Sequence, residues 1–186
     1  MKSRVAAGVL AVVVALGLVA VGLVGCSGAA PKPSPTPTPP FASADAAYKA
    51  AEATYRAYVD AGNHLDLAEP KTFQPLYSWL LGDALDHQRQ QLTAMTARGL
   101  HMTGRDVVTL VSPMDGGEPV WGDVYLAVCV DVSKSRVTDA AGNSLVDKNR
   151  PDIQSLEVAL SRDAATSTGM KITSITGRDG APTCAR

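Results

Sequence analysis

The chain has 186 residues, 46 % of them apolar, with 17 basic and 18 acidic side chains and a formal net charge of −1. That is room for one ordinary domain, and a balance so near neutrality lacks the basic footprint of a nucleic-acid binder. The averages hide two local excesses, because eighteen apolar residues fall in positions 1–25 and six of the 12 prolines in positions 31–40. Residues 41–186 are then of ordinary globular make-up, and without Lys2 and Arg4 the balance is 15 basic against 18 acidic residues, or −3.

Lys2 and Arg4 precede Val5 to Val24, an uncharged run of Val, Ala, Leu and Gly. Twenty apolar residues at about 1.5 Å each span the roughly 30 Å of a hydrocarbon layer, so length alone leaves a membrane anchor and a cleaved export signal open. Small residues crowd the end of the run, no Lys or Arg closes it, and Cys26 stands where a secretory signal is cut, which favours cleavage. The tetrad Leu23-Val24-Gly25-Cys26 resembles the lipobox of bacterial lipoproteins. The resemblance implies that residues 1–25 are a lipoprotein signal peptide, that the Cys26 sulfur takes a diacylglyceryl thioether, and that Cys26 becomes the N-terminus. Membrane lipid is then the expected partner, on the outer face of the cell membrane. Each buried methylene contributes about 0.8 kcal/mol, so two acyl chains hold stably where one does not.

Residues 26–40 join this anchor to the rest. Proline recurs at every second position from Pro31 to Pro39, and a ring that fixes φ and removes the N–H favours polyproline II over helix or sheet. Ten such residues make a semi-rigid spacer of about 30 Å. The alternating Thr and Pro also suit O-linked sugar.

In residues 41–186, Ser43 is placed to cap a helix starting near Ala44. Ala47, Tyr48, Ala51, Tyr55, Tyr58 and Val59 recur at helical spacing, with Gly62 as the expected stop. A second helical piece holds Phe73, Leu76, Tyr77, Leu80 and Leu81, and Pro75 inside it predicts a short helix or a break. A third runs from Asp83 to Arg98, with Leu81, Leu85, Gln88, Leu92 and Met95 on one face and Gly99 as a left-handed terminator.

After Gly104 the period changes to two. Arg105 to Ser112 reads as a strand, Pro113 to Pro119 as a turn, and Val120 to Asp131 as one long strand in which Val and Leu alternate with Trp121, Asp123, Tyr125, Ala127, Cys129 and Asp131. Asp139 to Asn143 marks another turn, and Ile153 to Ser161 and Met170 to Thr176 are two further strands. Helices first and strands afterwards predict an α+β domain with an antiparallel sheet.

With Cys26 assigned to lipid, Cys129 and Cys184 remain. An exported chain meets an oxidising compartment, so the two are expected to form a disulfide. Two Cys and three scattered His offer no metal-ligand spacing. No nucleophile elbow, phosphate-binding glycine loop, zinc motif or calcium loop is present, and no cofactor is expected.

The order of these pieces resembles the nuclear transport factor 2-like lipoproteins of high-GC Gram-positive bacteria. The likeness is carried by Ala50 to Tyr58, Gly99 and Gly104, Val128-Cys129-Val130-Asp131, Val137 to Gly142, and Cys184. It spans about residues 41–184, and departs from the family at Thr168-Gly169-Met170, where a Gly-Trp pair is common. It implies a cone, in which a strongly curved antiparallel sheet wraps packed helices and leaves one end open.

Such cones hold both enzymes and pockets without chemistry. Two functions follow as expectations. One is non-catalytic binding of a small apolar ligand or an envelope protein; the other is a small-molecule isomerase, cyclase or lyase of the ketosteroid isomerase-like type. The second needs a carboxylate base and a phenol or neutral acid in an apolar cavity, for which Asp123 or Asp131 with Tyr125, Tyr55 or Tyr58 supply the types. Tyr55, Tyr58, Trp79, Trp121 and Tyr125 are the candidate pocket residues, with core packing the other explanation for each aromatic. Asp83 and His87 lie four apart on a helix, as a ligand pair, an acid–base pair or a surface ion pair would. His64 and His101 stand beside turns.

The lipobox yields a direct expectation. The wild-type chain takes up labelled palmitate and its processing is blocked by globomycin, whereas Cys26→Ser takes up none. A wild-type chain without label would remove the lipid anchor.

Overall fold

A computed structural model describes residues 37–184; the signal, the tetrad Leu23-Val24-Gly25-Cys26 and residues 31–36 of the spacer lie outside the described residues. Ser43 sets the first helix. Its backbone is extended (φ −158°, ψ 165°) and its hydroxyl accepts the Ala46 N–H at 3.1 Å, opening α1 (Ala44–Gly62). Ala47, Ala51, Thr54 and Tyr55 are the buried stripe of α1, and the two alanines let the helix axis approach the sheet closely. Gly62 is the last helical residue and not a left-handed stop; the chain turns instead at Asn63, which stays right-handed and donates its N–H to the Val59 carbonyl at 2.9 Å.

A 3-10 turn over Pro70–Phe73 runs into a single turn of α-helix, α2 (Gln74–Tyr77). Pro75 falls in the first turn of α2, where a missing N–H costs nothing, so the proline shapes the short helix that the sequence predicts. The third helix, α3 (Gly82–Ala97), ends as expected at Gly99 (φ 62°), after which the Leu100 N–H reaches back to the Met95 carbonyl at 3.1 Å. Leu81 is not on the buried face: it caps α3 in extended backbone, 38 % exposed, with its N–H on the Ile172 carbonyl. Among the described residues no helix is long and apolar enough to cross a membrane.

The strands follow: β1 (His101–Thr103), β2 (Val107–Pro113), β3 (Val124–Asp131), β4 (Arg136–Thr138), β5 (Ile153–Arg162) and β6 (Met170–Gly177). They form a four-stranded antiparallel sheet in the order β2-β3-β5-β6 and a separate pair, β1-β4. The fold is therefore α+β with its helices ahead of antiparallel sheets. β1 carries no periodic pattern and is not legible in the sequence. The long strand begins at Val124 and not at Val120, because Pro119–Trp121 form a 3-10 turn and Gly122 (φ 103°) reverses the chain. A Cβ at Gly122 would stand 2.5 Å from Arg162 Cβ, so the turn lies flush against β5.

Both outer strands bulge at a threonine. Register shifts at Thr109 of β2 and Thr173 of β6 leave each without an opposing residue. Each hydroxyl donates to a carbonyl of the neighbouring strand, Thr109 to Cys129 and Thr173 to Ala159, both at 3.2 Å. A bulge adds local bend and twist, and here its orphaned acceptor is met by the extra residue itself.

The larger core joins Ala47, Ala51 and Tyr55 of α1 to Val124, Leu126, Val128 and Val130 of β3 and to Val158, Leu160, Met170 and Ile172. The smaller gathers Leu67, Phe73, Leu76, Leu92 and Leu100, and Tyr58 packs against both. The other face of β3 is closed by the C-terminal tail. Cys129 and Cys184 form the expected disulfide, and the Arg178 guanidinium coils the tail by donating to the carbonyls of Gly180, Ala181 and Pro182 at 2.7–3.0 Å.

The disulfide closes a separation of 55 residues, which restricts the denatured chain by about 4 kcal/mol. Denaturant unfolding of Cys184→Ser is expected to show a loss of that order, and reductant to bring the wild type down to the variant while leaving the variant unchanged. An unmoved wild-type midpoint under full reduction would mean that the tail does not stabilise the sheet.

Candidate functional site

α3 crosses the end of the sheet at β6, and the gap between them is an open cleft of about 530 Å³. Four-residue spacing places Asp83, His87 and Gln91 along one edge of α3 as an exposed rim, with Ala84 and Gln88 one step deeper. The opposite wall is Gln154 and Leu156, two apart and so on one face of β5, together with Thr173, Ser174 and Ile175 of β6. A second cavity of about 200 Å³ shares Tyr58, Gln88, Gln154, Leu156 and Ile175 with the first and runs on towards Tyr55, Val59, Leu76 and Val130. At their junction Tyr58 Oη donates to Gln88 Oε1 at 3.0 Å, and Gln88 Nε2 donates to Gln91 Oε1 at 3.4 Å.

The tyrosines are held as neutral phenols. Burial, reinforced by the negative charge of Asp106, pushes Tyr58 up to about 12. Tyr55, 2 % exposed, is raised by burial first and then by Tyr58 and Asp106. Asp106 sits at the mouth of the inner cavity and is fixed there from two sides. Its carboxylate accepts the Ser135 hydroxyl, its N–H donates to Asn63 Oδ1 at 2.8 Å, and its carbonyl accepts Asn63 Nδ2 at 2.9 Å. Neutral phenols, amides and an apolar floor can hold a ligand by shape and by one or two hydrogen bonds.

The candidate aromatics do not converge. Tyr55 and Tyr58 stand together with ring centroids 6.0 Å apart, and Tyr58 reaches the cleft. Trp79 lies in a different groove with Asp60, His64, Thr72 and Pro75. Trp121 is 42 % exposed in the turn before β3. Tyr125 alternates with the core-facing Val124 and Leu126, so it stands on the other face of β3, against Gly116 and Gly117. The carboxylates proposed to work with the tyrosines are also elsewhere: Asp123 accepts the Ser161 hydroxyl at 3.1 Å on the surface, and Asp131 turns back to the Ser133 N–H at 2.8 Å, which together with the Ser133 hydroxyl keeps it below the usual carboxylate range. Asp83 and His87 form no ion pair; both face the rim. His101 begins β1, exposed. Among the described residues no three His, Cys, Asp or Glu side chains gather as a metal site.

What this defines is an α+β domain, helices before an antiparallel sheet, with an open two-part cavity where the third helix meets the last strand. No protein-family model matches the chain, and no curated protein sequence matches it. Among solved structures, the intermembrane space region of the chloroplast protein ARC6 is similar at 14 % identity and a TM-score of 0.48, over 70 % of this chain and 95 % of that one. A periplasmic fragment of TraM is similar at 16 % identity and a TM-score of 0.36, over 75 % and 100 %. Likeness at this level says nothing of what the chain does.

Gln154, Asn63 and Asp106 were not singled out by sequence, and only Gln88 left a trace there, as the one polar residue in the apolar stripe of α3. The tyrosines generate a pH expectation. An unfolded phenol ionises near 10 and folded Tyr58 near 12, so the unfolded chain loses its proton first and stability falls as pH rises from 10 towards 12. The Tyr55→Phe/Tyr58→Phe variant should lose measurably less across that window in urea titrations. Parallel pH profiles would contradict the buried-phenol assignment.

Proposed function

We propose that this chain is a lipid-anchored lipoprotein of the cell envelope, of the nuclear transport factor 2-like kind, whose domain binds a small apolar ligand without catalysis. The observation that carries the binding reading is the cleft itself. Its volume, about 530 Å³, lies in the range of small-molecule sites, and its floor is Leu80, Ala84, Leu156 and Ile175 with the Tyr58 ring. The cone reading is supported by helices ahead of a sheet whose two outer strands are bent by bulges at Thr109 and Thr173. The placement outside the cytoplasm is supported by the signal-like N-terminus and by a disulfide, which persists in oxidising compartments. The carboxylates expected for an isomerase-type reaction, Asp123 and Asp131, are bonded away from the tyrosine pair, and the one carboxylate of the inner cavity, Asp106, is engaged by the Ser135 hydroxyl.

The test is a blocked cleft. Ala84 lines it from α3, and Ala84→Trp places an indole in the opening. A fluorescent apolar probe such as N-phenyl-1-naphthylamine is expected to bind wild-type residues 37–186 at one site, with at least a tenfold loss in the variant, on the order of the apolar area denied to it. Melting curves for both proteins separate blockage from unfolding. Failure of the wild type to bind apolar probes of any size would defeat the reading.

A further inference from the structure

We infer that the cleft takes an amphiphile with a hydroxyl-bearing head group and rejects anionic heads such as fatty-acid carboxylates. This rests on the cleft being a ligand site, and it follows from the charge and hydrogen-bonding capacity of the walls. Among the described residues lining the cleft and the inner cavity, no Lys or Arg occurs, while Asp83 stands at the outer rim and Asp106 at the inner mouth. The one lining group able to carry positive charge is His87, exposed at the rim beside Asp83, so a carboxylate drawn inward past it has no cation to meet it, and burying an unpaired charge is strongly unfavourable. The field of Asp106 reaches the interior, since it opposes ionisation of both Tyr55 and Tyr58. A ligand anion at the same place meets the same opposition.

The polar groups that remain available on the inner walls are neutral ones, the Ser174 hydroxyl and the side-chain amides, with His87 at the exposed rim. The Thr173 hydroxyl is committed to the Ala159 carbonyl, and Tyr58 to Gln88. Gln88 Nε2 gives one N–H to Gln91 and keeps a second. The Gln154 carboxamide, half-buried on the cleft wall, has no protein partner among the described residues. One carboxamide with both a donor and an acceptor free is complementary to a hydroxyl, which also donates and accepts once each. The apolar chain of such a ligand then lies along Leu156 and Ile175 towards Tyr55 and Leu76, the direction in which the second cavity runs.

The experiment uses the full chain in lipid nanodiscs, with methyl NMR of Ile175 and Ala84 as site-specific reporters and empty nanodiscs to correct free concentrations. The probes are 1-octanol, octanoate and octylammonium. Octanol is expected to saturate the two methyl shifts at about one-tenth of the free concentration that octanoate needs, the size of one good hydrogen bond, and octylammonium, whose cation Asp83 and Asp106 favour, also to saturate below octanoate. Gln154→Leu should weaken octanol binding several-fold, and Asp83→Lys, which puts a cation in place of an anion at the rim, should improve octanoate more than octanol. Octanoate saturating at or below the octanol concentration overturns the inference while the ligand reading stands, as does octanol binding that Gln154→Leu leaves unchanged. No shift with any of the three probes overturns the ligand reading, and this inference with it.

Discussion

β3 is covered on both faces, and the rest of the domain is arranged around that constraint. A strand between β2 and β5 has its backbone groups paired on both sides, so its side chains alone decide what must be covered. Val124, Leu126, Val128 and Val130 project under α1, where each buried aliphatic side chain contributes about 1.5–3 kcal/mol. Ala127 and Cys129, on the opposite face, are buried as well. Among the described residues, the helix that packs on β3 is α1, and it lies on the first face. The chain closes the second face with its own C-terminus, coiled by Arg178 and bonded through Cys184, and this is why a cysteine sits in the middle of the most buried strand.

The cavity is a consequence of how the other face is covered. α1 approaches the sheet closely through Ala47 and Ala51 and fills the space over β3. α3 comes in at β6 with Ala84 and Gln88 where a larger apolar side chain would close the gap. The amide of Gln88 instead accepts the Tyr58 hydroxyl of α1, which ties α3 to α1 and leaves the gap to β6 open. The bulge at Thr173 bends β6 at the same level and adds to the separation. Polar residues at these positions lower the packing of the core and give the domain an interior that a ligand can enter.

Local chemistry was readable wherever one residue acts on its own neighbours. Ser43 capped, Gly99 terminated, and Pro75 shortened a helix, because each effect is complete within four or five residues. Readings that depended on the surroundings shifted. Val120 and Trp121 alternate as strand residues do, yet Pro119 and Gly122 on either side impose a turn. Leu81 fits the apolar stripe of α3, but it precedes the helix and its N–H is taken by β6. Tyr55 and Tyr58 stand together because they share one helix face, whereas Trp79, Trp121 and Tyr125 were grouped by residue type, which does not say where the chain carries them.

By itself the sequence determined the order of helices before strands and the pairing of Cys129 with Cys184, since each is a matter of periodicity or count. Only the tertiary structure decided that Gln88 of α3, Gln154 of β5 and Ile175 of β6 share one cavity, that Asp106 overlooks it, and that Asp123 and Asp131 do not. Those relations join residues far apart in the chain, and they depend on sheet register and on the depth to which each helix sinks. A one-residue shift in either would turn a cavity-facing side chain out to solvent.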